Sequence, residues 1–344
     1  MTNELLHNPD FAASAPGLSL KDKPLGFIDI GARGGIHKMV DPLAGVTAVM
    51  GFEPDREECD RLTRQMATNS LWASYAIEPI ALAATDGEAQ LHVLSSAVNS
   101  SLRAPNPEFV RRYAMTGFDT VKTLILQTTS LDKVLFGARK DVDYWGEFIK
   151  IDTQGTELEI LHGARRTLEE RTVALLVEVE FFHIYQGEKL FSEVEQWLRN
   201  SGFSFYGFDI HTRSAKLLEK CKSAGRERTF FADAIFFKDP LSGGLWKPPM
   251  SERSLHVLFC SALLLGYYDF ALQLALETWA KDAAEADRIR RLVQQEASRL
   301  AVRAYDDVIA LSERVRAKPG QANVQVGKFV DARRHLADYD DCKL

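Results

Sequence analysis

From Pro24 onward, short apolar runs alternate with stretches whose apolar residues recur at helical spacing. Residues 27–30, 46–52, 75–83, 148–152, 173–179, 203–209 and 232–237 each read as a strand. The run 173–179 is nearly all apolar, as a strand covered on both faces should be. Residues 90–94 read as an extra strand or hairpin arm after the turn signal Asp86-Gly87. Asp55-Arg-Glu-Glu58 has the form of a helix capping box, and Cys59, Leu62 and Met66 make the buried stripe of the helix it opens. Leu158, Leu161 and Leu168 predict one apolar face on a helix after Asp152. Residues 193–199 predict another helix, stopped by Gly202. The stretch 99–126, with Pro105, Pro107 and Gly117, predicts a long irregular connection, where functional loops concentrate. Such alternation argues for an α/β fold, a mainly parallel sheet with helices on both faces.

The flanks differ. Residues 1–23 have no sustained period and read as a flexible or loosely docked lead-in, ahead of a domain at 24–238. Pro240, Gly243, Gly244, Pro248 and Pro249 mark 239–249 as a linker. Residues 250–344 form a helical C-terminal part, read as helix almost throughout 255–316. Leu258, Leu265, Leu272 and Leu276 fall on helical spacings there, with a break at Gly266-Tyr-Tyr-Asp269. Ile289, Leu292, Leu300, Val308 and Leu311 continue the apolar positions among charges of both signs.

Composition narrows the class. The chain has 344 residues, 46% of them hydrophobic and 26% charged, ordinary for a globular protein and long enough for two domains. A net charge of −6 argues against a nucleic-acid partner. Cys59, Cys221, Cys260 and Cys342 are far apart, which fits reduced thiols in a cytoplasmic setting better than disulfides or a zinc knuckle. The start lacks the basic and apolar regions of a secretory signal. The longest apolar tract, 255–265, falls short of the ~20 residues that span a bilayer, so no integral membrane segment is expected.

The candidate chemistry sits at strand ends. Gly31-Ala-Arg-Gly-Gly35 follows the first strand, where glycines let a ligand approach the backbone. Glu53 ends the second strand, where an acid can accept hydrogen bonds from both ribose hydroxyls of an adenosine cofactor. The spacing Gly31-x-x-Gly34-Gly35 is not the G-x-G-x-x-G that a pyrophosphate needs, which favours S-adenosylmethionine over a nicotinamide dinucleotide. Asp29 either supports the glycine turn or serves only the backbone. Asp86 is either an adenine contact or a turn residue before Gly87. Asp152 ends the strand next to the first, and reads as the reaction centre or as a helix cap. Glu178 and Glu180 share one face of the fifth strand, Glu180 nearer its end. His183 is a candidate base, with His211 a weaker one, and Gln154 and Tyr185 are candidates for the acceptor pocket. No HExxH or paired-Asp motif occurs, so no metal is implied.

Three blocks, Phe27-Ile-Asp-Ile-Gly-Ala32, Gly51-Phe-Glu-Pro-Asp55 and Lys150-Ile-Asp-Thr-Gln-Gly-x-Glu157, resemble successive blocks of the FkbM family of S-adenosylmethionine-dependent methyltransferases. Val179-Glu-Phe-Phe182 with Tyr185, and Gly202-Phe203, resemble later ones, so the resemblance spans residues 24–238. Arg33-Gly34 departs from it, since the family more often has Asn and then an apolar residue. The resemblance implies a Rossmann-like class I methyltransferase sheet, mostly parallel with its last strand antiparallel, followed here by a helical appendage. It implies S-adenosyl-L-methionine near Asp29, Gly31, Ala32, Gly34, Glu53 and Asp86. Catalysis is then expected at Asp152, Glu180 and His183, with Gln154 and Tyr185 on the acceptor. The expected reaction is O-methylation of a small-molecule, sugar or glycan hydroxyl. The rivals are a nicotinamide-dependent oxidoreductase on a similar sheet and a binding or scaffold protein working through its tail. The tail's apolar stripe must pack on the catalytic domain, on a second copy of the chain or on a partner, and self-association as a homodimer, with the helices also bordering the acceptor cleft, is the favoured arrangement.

Overall fold

The computed structural model describes residues 2–213, 217, 227–301 and 304–332. In chain order the first elements are α1 (Pro9–Ala13), α2 (Ala15–Asp22), β1 (Leu25–Ile30), β2 (Thr47–Phe52), α3 (Arg56–Asn69) and β3 (Ser74–Glu78). Next come β4 (Ala81–Leu82), β5 (Gly87–Leu94), α4 (Pro107–Arg112), β6 (Thr120–Thr129), α5 (Leu131–Lys133) and β7 (Phe148–Ile151). Then follow α6 (Glu157–His162), α7 (Arg165–Glu170), β8 (Ala174–Glu180), α8 (Phe191–Asn200), β9 (Ser204–Arg213) and β10 (Arg228–Phe237). The tail holds α9 (Glu252–Leu264), α10 (Tyr268–Thr278), α11 (Ala283–Ala301), α12 (Ala304–Ala317) and α13 (Ala322–Ala332).

Seven strands form the main sheet in the order β3-β2-β1-β7-β8-β10-β9. Its pairings are parallel except that β10 runs antiparallel to both β8 and β9. This is the expected α/β sheet, mostly parallel with its last strand antiparallel. Successive residues of a strand face opposite sides, and the two sides have separate cores. Leu25, Phe27, Val49, Phe148 and Leu176 point to one, and Ile28, Ile30, Met50, Ile149, Ile151 and Val177 to the other. The chain travels outward from β1 through β2 to β3 and then crosses back to β7 on the other side of β1, so the carboxyl ends of β1 and β7 are a switch point, where ligands bind in such folds.

Several sequence expectations need correction. The run 75–83 is two elements: β3 stops before Pro79, which has no N–H for a ladder, and Ala81 and Leu82 pair with β6 in a second sheet of order β4-β6-β5. The stretch 99–126 is not an irregular loop throughout, for it holds α4 and most of β6. The single helix after Asp152 is two short helices separated at Gly163 and Ala164, although Leu161 and Leu168 are both buried. The lead-in is folded: α1 and α2 bury Phe11 and Leu20 in the core. Asn8 caps the first and Ser14 the second, each accepting from backbone N–H groups of the first turn. Cys221 and Cys342 lie outside the described residues, as does the side chain of Leu300. Cys59 and Cys260 are buried free thiols.

The tail packs on its own chain. α9 is apolar around most of its circumference because it is enclosed: Val257, Leu258, Phe259 and Cys260 have no exposed surface. Each such large side chain contributes roughly 1.5–3 kcal/mol by leaving water. α9 and parts of α10 and α11 share a core with β1, β2, β7, α1 and α2. The stripe expected to need a second copy is therefore covered within one chain as far as Val293. No tail residue is among those lining the chambers described below, so the helices do not border the expected cleft. Beyond α11 the surface changes, and Tyr305, Val308 and Ile309 on α12 and Val324, Val326 and Val330 on α13 are exposed. Among the described residues no helix is long and apolar enough to cross a membrane.

Arg253 on α9 fastens tail, lead-in and sheet together. Its guanidinium donates to both carboxylate oxygens of Glu147 at 2.8 Å, to Lys23 O at 2.6 Å and to Pro24 O at 2.7 Å. Glu147 also accepts the N–H of Gly26 at 3.0 Å. The side chains of Arg253 and Glu147 are only 19% and 9% accessible, so losing one partner strands the other's charge. Arg253→Ala should lower unfolding free energy by about 3–5 kcal/mol in urea denaturation, and Glu147→Gln added to it should recover part of the loss.

Candidate functional site

Parallel register brings three strand ends to one edge: Ile30 lies beside Phe52 on β2 and beside Ile151 on β7. Gly31 follows β1 with φ +85°, and a Cβ there would stand 1.9 Å from the carbonyl oxygen of Asp152. Only glycine permits this approach. The two loops leaving β1 and β7 are thus in direct contact, and a cavity of about 300 Å³ opens above them. Asp29, Gly31, Arg33, His37, Glu53 and Asp152 are among its lining residues.

Glu53 is 4% exposed. One carboxylate oxygen accepts the Asp55 N–H at 2.8 Å, and the other lies 3.5 Å from Arg33. Burial pushes its pKa upward, with the Asp55 N–H and Arg33 opposing. Asp29 accepts the His37 N–H at 2.8 Å and so closes the glycine turn. Its other oxygen is buried without a hydrogen bond, 3.3 Å from the Lys150 ammonium. Lys150 is equally far from Asp152, 3.3 Å. Burial works against the lysine's charge, but these two carboxylates outweigh it and raise its pKa.

Ala32 and Gly34 were expected at the cofactor, yet their amides are already used. Ala32 donates to Phe52 O at 3.0 Å and Gly34 to Glu58 at 3.0 Å. Asp86 is not at the cavity. The chain leaves the main sheet after Glu78, which carries Asp86 to the exposed edge of the second sheet, where it pairs with Lys133 and accepts from Thr129 at 2.7 Å.

A second chamber, of about 430 Å³, lies beyond Asp152. Asp152, Gln154 and Val98 line both. Its far wall is aromatic: Phe109, Tyr113, Phe118 and Phe230 pack edge-on or tilted at centroid distances such as 4.5 Å for Tyr113 and Phe230. Its near wall is acidic, with Glu178 and Glu180. Gln154 organises the boundary. Its amide nitrogen donates to Asp152 at 2.8 Å and Glu178 at 2.6 Å. Its amide oxygen lies 2.9 Å from the Tyr185 hydroxyl, which is also 2.8 Å from Asn99 O and donates its one proton to either. The Gln154 backbone is left-handed, φ +63°, at a cost of about 1–2 kcal/mol.

Burial works to raise the pKa of Asp152, but Lys150, with hydrogen bonds from Glu178, Gln154 and Lys150, holds it below the usual carboxylate range. Glu178 goes the other way, raised well above that range by burial and by the charges of Asp152 and Glu180. Of the two, Asp152 is therefore the carboxyl that holds its charge more readily, and Glu178 the one that loses it more readily. Glu180, 1% exposed, is raised by burial and by Glu157 and Glu188.

Two expected residues have other places. Tyr185 is fully buried behind Gln154, holding that side chain instead of lining the chamber. His183 is half-exposed, 4.0 Å from Glu188, and lines neither chamber. His211 stacks on Phe231, near Asp209 and Asp233. Glu157 and Glu188 were not singled out from sequence. Glu157 accepts the N–H groups of Thr153 at 2.8 Å and Gly155 at 3.2 Å, and shapes the loop that presents Asp152 and Gln154. The only advance signal was its position at the end of the Lys150–Glu157 block.

The profile of the methyltransferase FkbM domain matches residues 29–205. The chain belongs to this family. Its matched region contains Asp29, Glu53, Asp152, Gln154 and the two glutamates of β8. Among solved structures, methyltransferase FkbM from Methylobacillus flagellatus KT is 16% identical with a TM-score of 0.35, over 62% of this chain. The chain spans 43% of that protein's length. Sp1610 of Streptococcus pneumoniae, a putative tRNA (m1A22) methyltransferase, is 12% identical with a TM-score of 0.32, over 93% of this chain and 97% of its own. M. capricolum TrmK, solved with the natural cofactor product S-adenosyl-homocysteine, is 8% identical with a TM-score of 0.33, over 83% of this chain and 96% of its own. No curated protein matches.

The acidic pocket of this FkbM-family chain makes its stability pH-dependent. Burial pushes Glu188 up to about 8, although the N–H groups of Tyr185 and Ile184 pull it down. The folded chain then keeps a proton that the unfolded chain, with an ordinary value of 4.5, has released. The contribution is present in full below the unfolded value and is lost as pH rises through the folded one. In chelator-treated protein, the urea midpoint of Glu188→Gln should gain on the parent's between pH about 5 and about 8.5. A constant difference across that range would show that Glu188 does not titrate there.

Proposed function

We propose that the chain is an S-adenosylmethionine-dependent methyltransferase acting on a hydroxyl oxygen of a small molecule, sugar or glycan. The observation that carries this reading is the pair of chambers meeting at Asp152 and Gln154. The residues of the first fit the cofactor. Glu53 at the β2 end offers carboxylate oxygens to ribose hydroxyls, Gly31 lets a ligand lie on the backbone, and Asp29 keeps an oxygen without a hydrogen bond. When bound, S-adenosylmethionine supplies an electrophilic methyl group on its sulfonium, so the protein's task is alignment and removal of one proton.

Asp152 is ionised and stands at the boundary, so it accepts the hydrogen bond of an acceptor hydroxyl and directs the oxygen's lone pair towards the first chamber. Gln154 and Tyr185 are positioning residues that keep its carboxylate in one orientation. The aromatic wall takes an apolar or ring-shaped part of the acceptor, and Glu178 and Glu180 give hydroxyl groups their partners. Buried, unpaired Cys59 and Cys260 suit a reducing cytoplasm. Self-association is proposed only of α12 and α13, whose exposed apolar side chains are the part of the tail left uncovered; light scattering reads it directly.

The test is incubation with methyl-labelled S-adenosylmethionine and pooled glycans, lipids and small metabolites. A labelled methyl ether together with S-adenosylhomocysteine is expected. Failure to bind S-adenosylhomocysteine in calorimetry would sink the reading. Glu53→Ala should weaken that binding by about 1.5–3 kcal/mol with the fold intact by circular dichroism. Asp152→Asn should abolish most labelled product while changing cofactor-product affinity far less. Parental turnover by Asp152→Asn would leave the residue only as a structural partner of Lys150 and Gln154; it does not cap α6, whose N-cap is Thr156.

A further inference from the structure

Behind the acceptor chamber lies a group of three glutamates brought from two places in the chain. Glu157 opens α6, and Glu178 and Glu180 end β8 on one face of the strand. One carboxylate oxygen from each lies within 4.8 Å of the other two. The residues are 2%, 8% and 1% exposed. Three carboxylates this close and this dry do not ionise together without a counter-charge. The nearby cations are engaged elsewhere: Lys150 with Asp29 and Asp152, and Arg103 with Glu159 and the carbonyl of Gly155. Among the described residues, no Lys, Arg or His forms an ion pair with any of the three. In addition, Oε2 of Glu180 is buried in the chamber wall with no hydrogen-bond partner.

We propose that Glu157, Glu178 and Glu180 hold a hard divalent cation, of the Mg²⁺, Mn²⁺ and Ca²⁺ class, at the inner end of the acceptor chamber. The donor set decides the class. It is all carboxylate, without the sulfur or imidazole that softer metals take. Oxygens bound at about 2.0–2.6 Å to one ion stand roughly 3–5 Å apart, and these three lie within 4.8 Å of one another. Two of the ligands are already held by outer partners, as metal ligands are. Glu157 is fixed by Thr153 and Gly155, and Glu178 by Gln154 at 2.6 Å. The third, Glu180, is the one with a vacant oxygen. Glu178 and Glu180 line the chamber, which gives the ion its path in and leaves its remaining positions to water or to an acceptor oxygen. That last role rests on the methyl-transfer reading; the binding of the ion does not.

The probe is Mn²⁺, titrated into the chelator-stripped full chain and followed by loss of the free-ion electron paramagnetic resonance signal. One bound Mn²⁺ per chain is expected, displaced by Mg²⁺ or Ca²⁺. Glu180→Gln, which keeps the side-chain volume, should weaken Mn²⁺ binding by about tenfold or more. Should that variant fail to fold by circular dichroism, Glu178→Gln is read in the same way. No binding at millimolar Mn²⁺ overturns the proposal and leaves protons as the charge balance of the cluster. Binding that these variants leave unchanged also overturns it, since the ion is then elsewhere. S-adenosylhomocysteine is titrated into the same preparation. Its binding without Mn²⁺ binding would end the cation site alone, and Mn²⁺ binding without it would end the methyltransferase reading alone.

Discussion

The contact of the Gly31 backbone with the carbonyl of Asp152 is the constraint on which the site depends. A Cβ at Gly31 would fall 1.9 Å from that oxygen, so β1 and β7 could not run side by side to their last residues. Their adjacency sets everything else in order. It places the glycine turn against the Asp152 loop, brings Glu53 in beside them through β2, and lets Lys150 reach both Asp29 and Asp152. A larger residue would split the sheet at its switch point and separate the two chambers from their shared boundary.

A second layer of control lies in charge. Asp29, Asp152, Glu157, Glu178, Glu180 and Glu188 crowd the β1, β7 and β8 ends, with Lys150 enclosed among them. The pKa values of Asp152 and Glu178 diverge because their surroundings do. Asp152 has Lys150 and three hydrogen bonds and stays low; Glu178 has Asp152 as neighbour and goes high. Two acids with opposite tendencies at one boundary are the arrangement through which a protein keeps one carboxyl charged beside another that holds its proton more readily.

The main strands were legible because each is an apolar run of strand length, and the acids at their ends follow from the same runs. What escaped the sequence had physical reasons. α1 and α2 are five and eight residues long, too short to display a period, and they are held by caps and by Arg253. β6 escaped because its residues are mostly exposed, with Val121 and Ile125 outward, so no half-buried alternation marks it. Asp86 was misplaced because counting from the third strand assumed that the chain continued in the main sheet, whereas Pro79 ends that strand. The acidic group behind the chamber has no local motif: Glu157 and Glu180 meet only once β7 and β8 are paired and α6 has turned back over them. Tyr185 was noticed as a residue near the acceptor, but its burial behind Gln154 depends on a bridge between Pro105 and Tyr185 that no periodicity encodes.

The docking of α9 has a consequence for how the protein is made. The face of the sheet bearing Leu25, Phe27, Val49 and Phe148 is covered by residues 257–263, more than two hundred positions later than β1. On a ribosome adding roughly 5–20 residues per second, that face stays open for about 5–20 seconds after the last of its strands, β7, has been made. The nascent sheet is uncovered on this face until α9 arrives, and Arg253 then joins α9 to the backbone of Lys23 and Pro24, far earlier in the chain. This half of the core therefore closes only after α9 is made, and the interval before closure is when it is most exposed to aggregation and to capture by chaperones.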